Sequence, residues 1–269
     1  MQILLWLSLW LSLWIGTACA QTPGPDSGLD LIERIRIRAA ENLMAQPNYT
    51  CHETIERSVR PPGSGSYRPR DTIQLEVALI KGHEMFSRRG AAQFEDAKIT
   101  DLVTSGTIAN GNFALHARAV FLSTGPEFHY RGLTTWNTHS VHAYDYNVTR
   151  ANSGWEIKAD DQRGFVGYRG SFRVDAASLD LVDFSVETVD IPSNLPVRAA
   201  KDLMEYQRVA IGNTEFLLPR SSEMTVTSPN GIESRNRTLF HACRQYAGES
   251  TLTFDEAPDP NGAATDRER

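Results

Sequence analysis

The chain has 269 residues with 27 basic against 33 acidic side chains, a formal net charge of −6. That balance gives no electrostatic footprint for nucleic acid, and the length suffices for one domain with a sizeable core. The first twenty residues carry no Lys, Arg, Asp or Glu, and Ile3 to Ile15 are apolar apart from Ser8 and Ser12. As a helix this run spans about 20 Å, short of the roughly 30 Å hydrocarbon core of a bilayer.

Gly16-Thr17-Ala18-Cys19-Ala20 then places small residues at Ala18 and Ala20, which predicts a signal peptide over 1–20, cut before Gln21. Ile15-Gly16-Thr17-Ala18-Cys19 also loosely resembles a lipobox, whose Cys would be lipidated and become the N-terminus of an outer-membrane lipoprotein. Either cut delivers the chain to the periplasm or the exterior. With Cys19 in the leader, Cys51 and Cys243 remain, and an exported chain with one pair has one connectivity, a Cys51–Cys243 disulfide.

Beyond a linker over 21–26, helical spacing of Leu29, Ile32, Ile35, Ala39, Ala40 and Leu43 predicts an amphipathic helix over 27–46. Arg36 falls inside the apolar arc, and Pro47 supplies the stop. The period then changes to two. Tyr49–Arg60 and Thr72–Leu79 read as strands joined through the Pro/Gly/Ser-rich stretch 61–66. Residues 91–103 suggest a short helix, and Phe113, Ala117, Val120 and Phe121 a second over 111–122, stopped by Gly125-Pro126.

From Glu127 the chain reads as antiparallel strands. Phe172 and Val174 alternate with polar residues, as do Val182, Phe184 and Val186. Gly212-Asn213 and Pro229-Asn230-Gly231 mark hairpin turns, and further strands are expected over 231–246 and 250–254. The polar, Pro/Gly-bearing segment 255–269 is expected to be a disordered tail. The expectation is an α+β fold: one domain over 21–254, a large antiparallel meander of nine or ten strands. Its sheet curls into a half-barrel, with a few helices at the concave face.

The chain carries no nucleophile elbow, phosphate loop, dinucleotide-binding glycines or zinc-protease motif, so no catalytic residue and no cofactor are assigned. His139 and His142, with His129 and Asp145 nearby, are the best metal or catalytic candidates. On a strand, however, residues three apart point to opposite faces, so no metal site is expected. Tyr144, Tyr146, Phe172, Phe184, Tyr206 and Phe216 are candidate lining residues for an apolar ligand cavity, with a packed core as the alternative.

Tyr168-Arg169-Gly170-Ser171-Phe172-Arg173-Val174-Asp175, followed by Leu179-Asp180-Leu181, forms a strand–turn–strand element that resembles LolA/LolB-like and RseB-like periplasmic proteins. Asp190-Ile191-Pro192 and Ile211 to Pro219 are similarly placed downstream. A family of exported bacterial proteins with a Gly-Ser-Phe, Leu-Leu-Pro, Cys-Arg pattern is resembled as well. The likeness covers about residues 125–250 and implies a half-barrel that holds acyl chains or lipoproteins; the cysteine pair and the connection at 61–69 are departures from it. It leads to a non-enzymatic envelope protein with a lipid or lipoprotein ligand. A protein–protein module of an envelope assembly or sensor is the alternative, and an enzyme using the His/Asp cluster the third reading.

Overall fold

The computed structural model describes residues 26–91, 94, 99–109, 111, 113–159 and 161–246. The leader, the strand expected at 250–254, the tail at 255–269 and much of the helix expected at 91–103 lie outside the described residues. What is described is an α+β arrangement in which ten antiparallel strands form one curved, unclosed sheet.

Helix α1 (Asp26–Ala45) ends one residue before the Gln46-Pro47 step. Its Ile35 and Leu43 are buried in the core, with Leu31, Ile32 and Ala39 against them. Arg36, out of place on the helical wheel, reaches the Ser123 carbonyl with its Nη2 at 2.9 Å. The misfit on the wheel is thus a tether to another part of the chain.

Strands β1 (Tyr49–Arg60) and β2 (Arg68–Ile80) pair as expected. A third strand, β3 (His83–Arg88), was not expected. It folds back on β2 through Lys81-Gly82, whose φ values of 51° and 82° suit a two-residue hairpin turn. Of the short helix read at 91–103 the described part is α2 (Ile99–Leu102). Helix α3 (Leu115–Phe121) starts where it does because of β3: the Glu84 carboxylate accepts from the N–H groups of Gly111, Ala114 and Leu115. Those donors have no partner inside the helix, and an anion at that end suits its dipole.

The remaining strands are β4 (Glu127–Trp136), β5 (His139–Val148), β6 (Glu156–Ala159), β7 (Gln162–Phe165), β8 (Gly167–Asp175), β9 (Leu181–Val189), β10 (Ala199–Ile211), β11 (Thr214–Thr227) and β12 (Glu233–Gln245). The sheet order is β3-β2-β1-β12-β11-β10-β9-β8-β5-β4. Two departures from a strict meander appear. β6 and β7 form a separate hairpin, so β5 pairs with β8 across it, and β1 pairs with β12, joining the two ends of the described chain.

A bulge decides the geometry of the cystine. Thr50 faces Arg244 but His52 faces His241, so β12 carries an extra residue there, with Ala242 at φ 50°. Cys243 is thereby brought to Cys51, with Cα atoms 4.1 Å apart and the disulfide formed. A second bulge corrects the reading of β9. Val174 pairs with Leu181 and Arg173 with Asp183, so Val182 is the extra residue. Leu181 joins Phe184 and Val186 in the core in place of Val182, which is half-buried.

The Tyr-Arg-Gly-Ser-Phe stretch has a steric reason. The Tyr146 hydroxyl donates to the Ser185 carbonyl at 2.7 Å, passing over Gly170 on the intervening strand. A Cβ on residue 170 would overlap both groups, so only glycine fits.

The cystine closes a loop with a sequence separation of 192 residues. On loop-closure entropy alone it stabilises the fold by about 5 kcal/mol. The double variant Cys51→Ser/Cys243→Ser is expected to unfold at a markedly lower denaturant midpoint. An unchanged midpoint in equilibrium urea unfolding would contradict this.

Candidate binding face

The concave side of β5, β8 and β9 carries a layer of five aromatic side chains: Tyr144, Tyr146, Tyr168, Phe172 and Phe184, each buried. Tyr144 stacks on Phe172 at 5.2 Å between centroids, and Tyr146 on Phe184 at 5.4 Å. Phe121 of α3 meets Phe172 edge-on at 5.0 Å. Such offset and edge-on pairs add to what area burial provides.

Four of the six residues singled out from sequence, Tyr144, Tyr146, Phe172 and Phe184, therefore lie together, and Tyr206 packs half-buried against them. Phe216 does not join them. It belongs to a second core with Val209, Ile211, Leu218 and Phe240, beside the cystine. Ile35 and Leu43 of α1 and Ala117, Val120 and Phe121 of α3 pack onto the aromatic layer.

Polar side chains tie these helices down. Asp180, at the β8–β9 turn and 9% exposed, accepts from Arg38 Nε at 3.0 Å and Asn42 Nδ2 at 2.9 Å, both on α1. Its other oxygen takes Arg208 Nε at 2.8 Å and Nη2 at 2.6 Å from β10. Gln46 donates to the Leu217 carbonyl at 3.1 Å, and Arg118 of α3 to the Leu43 carbonyl at 2.7 Å. Sequence reasoning quoted Asp180 within a motif but gave it no role.

Some polar atoms stay unsatisfied. Arg36 Nε on α1, Arg118 Nε on α3, and the Tyr144 and Tyr206 hydroxyls on the sheet are buried without a hydrogen-bond partner. Tyr49 Oη and Glu53 Oε2 are in the same position. Burial, with the Glu84 charge adding to it, raises Glu53 from its ordinary 4.5 to about 8. Burial likewise raises Asp202 from 3.8 to about 7, partly offset by the Leu203 amide. His116 is pushed down to about 4 by burial, so its ring is neutral where it meets Trp155 edge-on.

The His/Asp cluster does not assemble. His142 accepts or donates at Nδ1 with the Tyr130 hydroxyl at 2.9 Å, while His139 is exposed three residues away. His129 is exposed across from Asp145 in register, and Asp145 pairs with Arg131 at 3.3 Å. Among the described residues no three His, Cys, Asp or Glu side chains are grouped to hold a metal. No helix among them is long and apolar enough to cross a membrane.

Two clefts open elsewhere. One of about 900 Å³ lies between Arg150, Phe165 and Asp190–Pro192. The other, of about 540 Å³, lies between β2, the end of β3 and residues 102–105. No side chain of the aromatic layer lines either.

No protein-family model matches the chain, and no curated protein matches its sequence. Solved structures similar to it include a LolA superfamily protein from Nitrosomonas europaea. That match has 11% identity, covers 81% of this chain and 94% of the other, and has a TM-score of 0.43. A DUF1329 family protein from Desulfovibrio piger is 11% identical, with 87% and 98% covered and a TM-score of 0.38. An outer membrane lipoprotein-sorting protein domain from Vibrio parahaemolyticus is 13% identical, with 82% and 93% covered and a TM-score of 0.39.

The buried acids set a pH dependence. A carboxyl whose folded value is raised holds its proton longer in the folded state, so stability falls as pH rises from the unfolded value toward the folded one. For Glu53 and Asp202 the window runs from about 4 to about 8. Urea unfolding should show stability declining across it, and Glu53→Gln should flatten the slope and gain most near pH 8. A slope of the opposite sign would refute the assignment.

Proposed function

We propose that the chain is an exported envelope protein that takes up an apolar or lipid-like ligand, or the acyl chain of a lipoprotein, on its concave aromatic face, without catalysing a reaction. The periplasmic or secreted location rests on the charge-free leader with its small-residue cut site and on the cystine, which persists in an oxidising compartment.

The observation that carries the binding reading is the seam between helices and sheet. Two buried polar atoms on the covering helices lack partners: Arg36 Nε on α1 and Arg118 Nε on α3. Each costs about 1–3 kcal/mol while buried unpaired. Displacing α1 and α3 lets these atoms meet water. An alkyl chain can then cover the exposed rings in the helices' place, recovering about 0.8 kcal/mol per buried methylene. Tyr144, Tyr146, Phe172, Phe184 and Tyr206 would line the opened face; Phe216, in the second core, falls outside it.

A second reading, docking of an envelope protein partner, has one observation in its favour. Edge strand β4 displays Tyr130 at 44% and Leu133 at 60% exposure. The bulge at Tyr130/Gly132 is a device that protects such edges, which favours the ligand reading.

Asp180 is the tether whose removal tests the reading. Asp180→Ala should cost about 2 kcal/mol, the scale of hydrogen bonds to a charged group, and loosen α1. Uptake of the neutral apolar dye Nile red should rise several-fold over the parent protein, and the parent should release lipid on solvent extraction. Lipid-free protein, with no dye uptake by either form, would overturn the proposal.

A further inference from the structure

The second cleft lies away from the aromatic layer, at the far edge of the sheet. Strand β3 pairs with β2 over Leu75–Ile80, so the Arg68–Gln74 half of β2 has no strand on its outer side among the described residues. Leu102 at the end of α2 and residues 103–105 after it close the cleft from the inner face, and its volume of about 540 Å³ lies in the range of small-molecule sites.

Its lining has two parts. Ile73, Leu75, Leu102 and Val103 supply an apolar floor continuous with the second core. Arg88 and Arg89, both exposed, stand at the rim. Arg88 has no ion-pair or hydrogen-bond partner for its guanidinium among the described residues, and Arg89 donates only to the neutral Gln74 Oε1 at 2.7 Å. Arg57, deeper in the cleft, is different. Asp71 takes its guanidinium in a bidentate pair at 2.6 Å, and the Ser105 carbonyl accepts from it at 2.6 Å. That pairing fixes one wall, and among the described residues no ion pair is seen at the two rim guanidinia.

From this we infer a second ligand site: the cleft binds an anionic amphiphile. The headgroup is held by the Arg88 and Arg89 guanidinia, and the apolar portion lies on Ile73, Leu75, Leu102 and Val103. A guanidinium fork matches the planar carboxylate and the phosphate oxygens alike, so both headgroups share the recognition chemistry. An apolar floor with a few placed polar groups is what orients such a ligand. On a chain of net charge −6, a rim of one sign also selects anions locally over cations.

Photolabelling tests this with a local readout. The probes are decanoate, decyl phosphate and decyltrimethylammonium, each carrying a diazirine at the chain end, applied to the full chain and followed by peptide mapping. The two anions should label peptides covering 72–75 and 102–105, the stronger of them naming the headgroup. Arg88→Gln/Arg89→Gln should cut that labelling at least tenfold while the circular dichroism spectrum and Nile red uptake stay unchanged. Equal labelling by the cation, labelling that survives the double substitution, or labelling confined to α1, α3 and the aromatic layer would overturn the inference. The last outcome would leave the concave-face proposal standing, so the two fail separately.

Discussion

A ten-stranded sheet that curls in one direction leaves a hollow lined by side chains, and the hollow must be covered by something other than water. Here the cover is two helices from different parts of the chain, laid on five aromatic rings. Neither helix could hold its place alone: α3 has seven residues, and α1 turns a charged face outward. Their position is enforced from outside. Glu84 fixes the start of α3, Asp180 grips α1, and Arg36 and Arg118 cross-link the helices through main-chain carbonyls. Even so, Arg36 Nε and Arg118 Nε on these helices stay unpaired, so the cover combines strong apolar contact with incomplete polar satisfaction.

The two cores differ in what they ask of the chain. The core beside the cystine is held by long-range covalent and strand pairing, since β1 meets β12 from the other end of the described chain. It also carries Glu53, whose burial pays off only while the carboxyl keeps its proton. The aromatic core is covered on its open side by helices, packed on the rings and tethered by Asp180 and Gln46.

Much of this was legible in the sequence where local rules dominate. Period-two alternation around Phe172, the stop at Pro47 and the Gly212-Asn213 turn each act within a few residues, and each appears where expected. The cystine was legible because two cysteines leave one pairing. What could not be read depended on contacts between distant segments. Strand β3 is six residues with no strict alternation, and its hairpin signal, Lys81-Gly82, is a weak one. The bulge at Val182 shifts the inward set by one residue, which alternation counts cannot register. Phe216 looks like Phe172 in sequence yet joins the other core, because which core a strand residue meets depends on its place along the curved sheet. The catalytic-looking histidines were discounted on strand geometry, and the strand does separate His139 from His142.

Amide hydrogen exchange, followed residue by residue in native buffer, reads the central claim directly. If α1 and α3 form a cover that opens locally, their amides exchange faster than those of β1, β8 and β12, and an added long-chain lipid changes protection at the helices and the aromatic strands while leaving β1 and β12 as they were. If helix amides exchange only through global unfolding, at the same free energy as the central strands, the hollow is a closed core and the account is wrong.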